Sequence, residues 1–255
     1  MKFNDYINQK LRSKNIPGQV SIEITEICNL DCEHCYLDKQ KTKYMGKEQL
    51  KRLLNVLKSM GVLSVQFTGG EPFLHPHIVE ILNYAVDLGL LVIVQTNGTM
   101  LTPDLLACLS RGFSMLKISL YSLDDEVHDK ITRKKSLSRI LKNIELLKSK
   151  DIPITIATSV MKRNFVDVEK IYKWSEQEGF TFTSTSLIAP SLDQKNIGEY
   201  RVNPDILVAN ESQWNGQRTI CGISSCKTAN DFLFSNCSGG ISSCYVNIDF
   251  RIDVV

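Results

Sequence analysis

The chain has 255 residues, 43% of them hydrophobic and 23% charged, with a formal net charge of +2, the profile of a soluble globular protein. That balance gives no case for nucleic acid or an anionic membrane surface, and the longest apolar run, residues 88–94, is far short of a membrane span. Residues 1–14 are polar and do not form a signal peptide, so the eight cysteines read as metal ligands or reactive thiols in a reducing, cytoplasmic setting.

Residues 1–17 form a lead-in, with a short polar helix over 1–16 running into the turn Pro17-Gly18. Strand patterns follow at 20–25, 63–67, 90–96, 115–120, 153–160 and 180–188, and helical patterns at 47–60, 76–88, 103–110, 137–149 and 165–178. Leu50, Leu53, Leu54 and Leu57 have the spacing of a buried helical face. Thr102 before Pro103 suits a cap followed by proline at the first helical position, and Gly61, Gly89 and Gly179 suit left-handed helix ends. Six β-branched strands alternating with helices predict parallel units with right-handed crossovers. The fold class is therefore α/β, a partial (β/α)6 barrel over 18–190, with ligands at the carboxyl ends of its strands. Residues 191–220 read as a linker, and 221–255 as a short cysteine-rich extension.

The loop after the first strand holds Cys28, Cys32 and Cys35 within eight residues. Iron–sulfur clusters are usually held by four cysteine thiolates. Three from one loop leave a fourth iron open, and an open metal position is where chemistry occurs. A zinc knuckle using His34 and a disulfide framework are the alternatives. His34 lies too cramped between Cys32 and Cys35 to complete a tetrahedron easily, and nothing else supports export.

The loop after the second strand reads Thr68-Gly69-Gly70-Glu71-Pro72. Two glycines let a ligand approach the backbone, and a carboxylate beside them can hold an ammonium group. C-x3-C-x2-C after strand one and Gly-Gly-Glu after strand two together resemble the signature of the radical S-adenosylmethionine (radical SAM) enzymes, over about residues 18–190. The resemblance implies a [4Fe–4S] cluster on Cys28, Cys32 and Cys35 whose fourth iron chelates SAM. It also implies reductive cleavage of SAM to a 5′-deoxyadenosyl radical that takes hydrogen from a substrate. Gly69, Gly70 and Glu71 would bind the methionine amino group. Ser119 resembles a serine that hydrogen-bonds SAM, although Tyr121 stands where an aspartate is common. Asn97-Gly98 resembles a turn lining the cofactor pocket, and Arg133 an arginine that pairs with the SAM carboxylate. Tyr36 is placed to shield the cluster or pack its loop. His75 and His77 read as capping or surface groups, His128 as a residue on a helix face beside Asp129, none of them catalytic, and Cys108 as a small buried hydrophobe.

Cys237-Ser-Gly-Gly followed by a hairpin-like run resembles the opening of a SPASM or twitch domain, which carries auxiliary clusters in peptide- and cofactor-modifying members. The next cysteine of that pattern is missing, so the expectation is a truncated or decayed domain. Cys221, Cys226, Cys237 and Cys244 are a candidate second iron–sulfur or zinc site, and Cys221 or Cys226 a candidate hydrogen-atom donor. The resemblance implies a peptide or small-molecule substrate, an electron donor such as flavodoxin or ferredoxin, and a separate peptide-binding protein. Maturation of a tetrapyrrole or quinone-type precursor is the alternative enzyme, and a metal-binding scaffold without turnover the alternative class.

Overall fold

Each core strand has one apolar and one largely polar face, and this alternation determines the architecture. On the first strand Val20, Ile22 and Ile24 are buried among apolar neighbours, while Ser21 and Glu23 point the other way. The two-residue period of a strand puts these sets on opposite sides of the sheet. A computed structural model describes residues 9–11, 13–14, 16–37, 43–112, 114–186, 188, 197–203 and 205–206, together with the backbone of strand segments at 217–218, 232–235, 241–242 and 249–250.

Six strands, β1 (Gln19–Thr25), β2 (Ser64–Gly69), β3 (Leu91–Thr96), β4 (Ser114–Ser119), β5 (Ile154–Ser159) and β6 (Thr181–Thr185), lie side by side in chain order. All are parallel. Six helices pack on the convex side: α1 (Lys47–Ser59), α2 (Ile78–Asp87), α3 (Pro103–Leu109), α4 (Asp125–Thr132), α5 (Leu137–Lys148) and α6 (Val168–Glu178). Leu50, Leu53, Leu54 and Leu57 of α1, and Ile81, Leu82, Ile140 and Ile144, close the core against Val65, Phe67, Val92, Val94, Leu116 and Ile118. The sixfold parallel expectation is met.

Boundaries differ for local reasons. Helix α2 starts at Ile78 because Pro72–Leu74 forms a separate 3-10 turn, and another such turn, Phe165–Asp167, precedes α6. Strand β6 ends at Thr185, short of the expected 188. Thr102 caps α3 through its side chain, as expected, accepting from the Leu105 N–H. The lead-in helix is seen at 9–11 and 13, and the remainder of 1–8 lies outside the described residues.

Beyond the six units the sheet continues. β7 (Gln217–Arg218) pairs parallel with β6, and β8 (Phe232–Ser235) pairs parallel with β1. β9 (Ile241–Ser242) and β10 (Asp249–Phe250) follow β8 in antiparallel pairing. The hairpin-like run thus adds strands to the β1 edge of the same ten-stranded sheet.

Candidate active site

The chain leaving β1 crosses the chain leaving β2 at backbone contact. The Gly70 N–H donates to the Thr25 carbonyl at 2.7 Å and the Glu71 N–H to the Ile27 carbonyl at 2.8 Å. Gly69 has φ +126°, and a Cβ there would sit 2.1 Å from the Thr25 oxygen. A Cβ on Gly70 would sit 2.2 Å from the Ile27 oxygen. Only glycine fits either position. The sequence suggested that the pair admits a ligand; the structure shows that it admits the chain itself, one residue before Cys28.

The far side of the cysteine loop is fastened too. Asp31 and Glu33 donate backbone N–H groups to Thr132 and Ile131 at 3.1 and 2.9 Å. Glu33, buried, also pairs with Arg163 at 3.0 Å. A side-chain network ties the loop to the turn after β3: Asn97 Nδ2 donates to Asn29 Oδ1 at 2.8 Å, and Asn29 Nδ2 to Thr99 Oγ1 at 2.8 Å. Thr99 donates from its hydroxyl and its backbone N–H to Asn97 Oδ1. Arg133 closes α4 in a left-handed conformation and reaches Asp31 at 3.5 Å. That contact is half-exposed, and Arg133 is absent from the cavity wall. The arginine expected at a cofactor carboxylate therefore contacts the loop through Asp31 and does not line the cavity.

Glu71 is wholly buried, and its carboxylate accepts from the N–H of Phe73 (3.0 Å), the hydroxyl of Thr96 (2.7 Å) and the N–H of Asn97 (2.7 Å). Burial pushes its pKa up, against the pull of these three donors, to about 7. The carboxylate expected to hold an ammonium group instead joins the β2 and β3 turns and lies outside the cavity lining. Its neighbours Thr68, Gly69 and Gly70 are in that lining.

The cavity has a volume of about 410 Å³ at the carboxyl ends of the strands. Cys28, Cys32 and Cys35 form one side with Tyr36, and Asn97 and Ser119 stand on the wall. Tyr36 donates its hydroxyl to Glu23. The donor set fits an iron–sulfur cluster. None of the three thiols is in a disulfide among the described residues, and Cys28 receives the Leu30 N–H at 3.4 Å and Asn97 Nδ2 at 3.9 Å. Burial, then the neighbouring Cys35 and Cys28, push the Cys32 thiol far above its usual range. Three thiolates on one loop therefore need a cation to ionise together. Among the described residues no three His, Cys, Asp or Glu side chains gather around a single ion, whereas a cluster offers each thiolate its own iron. The zinc alternative loses His34, whose ring is buried edge-on against Tyr121 at 4.9 Å.

Tyr121 lies between two imidazoles, with His128 on its other side at 5.6 Å. Burial holds both His34 and His128 neutral, with pKa values near 4. His128 is therefore a core residue of α4 that accepts the Tyr121 N–H at 3.3 Å. His75 is likewise buried, with Nε2 against the Met45 carbonyl at 2.8 Å, while Nδ1 accepts the His77 N–H. Cys108 is buried as expected. Cys221, Cys226, Cys237 and Cys244 lie outside the described residues.

Some wall residues were not singled out from the sequence: Gln95 of β3, Lys117 of β4, Ala157 and Ser159 of β5, and Thr183 and Thr185 of β6. Their signal was present in the alternation. Positions 117 and 119, and 157 and 159, lie opposite the apolar residues that face the helices.

Comparison with known proteins agrees with this geometry. The Radical SAM superfamily model matches residues 22–175. An AdoMet-dependent heme synthase of Methanosarcina barkeri is 31% identical over 69% of this chain and 52% of its own length. The antilisterial bacteriocin subtilosin biosynthesis protein AlbA of Bacillus subtilis is 36% identical over 60% of this chain and 35% of its own. Streptococcus suis SuiB, solved bound to S-adenosylmethionine, superimposes with a TM-score of 0.76 at 16% identity, covering 97% of this chain and 67% of that one. The chain thus spans about half of the heme synthase and about a third of AlbA. With three thiols on the loop after β1, a two-glycine turn after β2 and a matching model across most of the six-unit sheet, the chain belongs to the radical SAM superfamily, a superfamily of enzymes.

Proposed function

We propose that the chain cleaves S-adenosylmethionine reductively and uses the resulting radical to modify a peptide. The observation that carries this reading is the crossing of the two loops, which places three cysteine thiols and Thr68, Gly69 and Gly70 on one 410 Å³ cavity. Cys28, Cys32 and Cys35 would hold the [4Fe–4S] cluster, and Thr68, Gly69, Gly70, Asn97 and Ser119 would line the place of SAM. When bound, cluster and SAM supply a strong one-electron reductant and a latent carbon radical. The chain's own part is positional. Glu71 and the Asn97–Asn29–Thr99 network fix the cysteine loop against the strand ends, while Tyr36, Tyr121 and Leu30 line the cavity and limit the water it holds.

A peptide substrate is supported by AlbA, named for subtilosin biosynthesis, and by the structure of SuiB bound to the precursor peptide SuiA. A small cofactor precursor is the second reading, favoured by the heme synthase similarity. A scaffold without turnover is disfavoured by the intact thiols and glycine turn. The proposal keeps the core at 18–190, the linker at 191–220 and the cysteine-rich segment at 221–255. It includes a flavodoxin- or ferredoxin-type electron donor, a separate peptide-binding partner and a cytoplasmic setting. Among the described residues no helix is long and apolar enough to cross a membrane.

The test is anaerobic reconstitution with iron and sulfide, then SAM and a strong reductant, with 5′-deoxyadenosine measured. Production that disappears in Cys32→Ala supports the reading; a loaded chain that binds SAM without cleaving it moves the assignment to a scaffold. Iron near four per chain is expected from Cys28, Cys32 and Cys35 alone. A second increment, lost on replacing Cys237 and Cys244, would assign an auxiliary cluster to the C-terminal cysteines.

A further inference from the structure

We propose that Lys117 is the receptor for a carboxylate carried by the substrate, so that this site selects an acidic peptide side chain. The inference rests on the radical SAM reading for where the cofactor lies, and on four observations for the lysine itself.

Lys117 lines the cavity from the concave face of β4, largely buried, with no hydrogen-bond or ion-pair partner among the described residues. Other lysines of this chain do meet carboxylates: Lys47, Lys148 and Lys170 meet Glu80, Glu178 and Asp167 at 2.8, 2.7 and 2.9 Å. A buried ammonium without a counter-charge is costly, and an incoming anion removes that cost. Burial alone already pulls the Lys117 pKa down.

Among the described residues its surroundings offer no internal counter-ion. Register places it between Gln95 and Thr155, both neutral. The only acidic side chain on the concave faces of β1 to β6 is Glu23, which is engaged with Tyr36.

Depth separates Lys117 from the cofactor. It stands two residues before Ser119, about 6–7 Å farther from the strand ends that carry the cysteine loop. On the radical SAM reading the carboxylate of SAM would be held near the cysteine loop, which leaves Lys117 facing the part of the cavity beneath it.

The chemistry of the amino-terminal ends of the strands also indicates the ligand. Leu91 and Met115 share the concave face by strand period and are 51% and 41% exposed. One point charge with these two apolar side chains beyond it, beside the neutral Gln19 and Ser64, suits a single carboxylate on an uncharged chain. A phosphate group would call for several convergent donors.

The probe is N-acetyl-glutamate α-amide, with N-acetyl-glutamine α-amide as its neutral counterpart. Each is titrated calorimetrically into the anaerobically reconstituted chain saturated with SAM, and into the cluster-free chain. The acid is expected to bind and the amide not. The acid's affinity should fall about thirtyfold or more in Lys117→Met and recover partly in Lys117→Arg, while the SAM affinity stays unchanged. Equal binding of both probes, or wild-type affinity in Lys117→Met, overturns the proposal. So does displacement of the acid by SAM, which would put the cofactor's own carboxylate at Lys117. Iron content and SAM affinity in the same samples report on the radical SAM reading separately, and the cluster-free titration does not depend on it.

Discussion

At Gly70 a single hydrogen atom decides whether two loops can cross. Replacing it by alanine would place a methyl group 2.2 Å from the Ile27 oxygen. Neither backbone can yield without breaking the Gly70–Thr25 and Glu71–Ile27 hydrogen bonds. Gly70→Ala is expected to lose about 2–4 kcal/mol of stability by denaturant unfolding and to take up much less iron on reconstitution. A wild-type iron content would mean that the loops can separate. His128 makes a pH-dependent contribution. Its folded-state pKa is about 4, below the ordinary 6.5. The unfolded chain therefore binds a proton in that window while the folded chain does not, so stability rises with pH between 4 and 6.5 and is level above. Going from pH 7 to pH 5, this group should remove about 2 kcal/mol. His128→Gln should show a correspondingly smaller loss in urea titrations at the two pH values; an identical loss would place the imidazole in solvent.

Among elements, two turns that look alike in sequence have different roles. Thr102 and Asn97 both follow β3, six residues after Thr96 and directly after it. Thr102 caps α3 through one hydrogen bond, so Thr102→Ala should cost about 1 kcal/mol without changing iron uptake. Asn97 bonds to Asn29 and Thr99 and approaches Cys28. Asn97→Ala should leave α3 intact but lower the iron retained after gel filtration, and equal iron retention in the two variants would refute the distinction. The cap was legible because Thr-Pro-Asp carries its own local signal. The Asn97 turn was legible as a turn at the cofactor pocket but not as a tie to the cysteine loop, since its partner is 68 positions away and no local pattern specifies that pairing. Helix α4 was seen in sequence only through His128 and Arg133. Its N-terminus is set by Asp124, which accepts from Glu126 and Val127, and its C-terminal end by a left-handed arginine rather than a glycine.

For the whole molecule, the sheet has an apolar convex side and a polar concave side. Closed barrels fill the concave side with branched aliphatics. Here Ser21, Gln66, Gln95, Lys117, Ser119 and Thr183 occupy it, which leaves room for a ligand. Filling that space should separate folding from binding. Ala157, register partner of Ser119, faces the cavity, so Ala157→Leu should keep the melting temperature and iron content while weakening SAM binding roughly tenfold or more. Unchanged SAM affinity would put the cofactor elsewhere. The six parallel units were readable because each strand and helix carries its own period. The reason for Gly69-Gly70, the engagement of Glu71 and the isolation of Lys117 were not, because each depends on what another strand places opposite. The pairing of β8 with β1 joins Gln19 to Phe232, a separation that no window along the chain can register.

The cysteine loop is bonded on both sides by backbone groups that belong to the sheet and to α4. Its ordering entropy is therefore spent during folding rather than on metal capture, in contrast to small zinc domains that are unfolded without their ion. The metal-free chain should resist proteolysis in this loop almost as well as the loaded one. Loss of the cluster to oxygen would then leave an intact receptacle, ready for repair by reloading without passage through a chaperone.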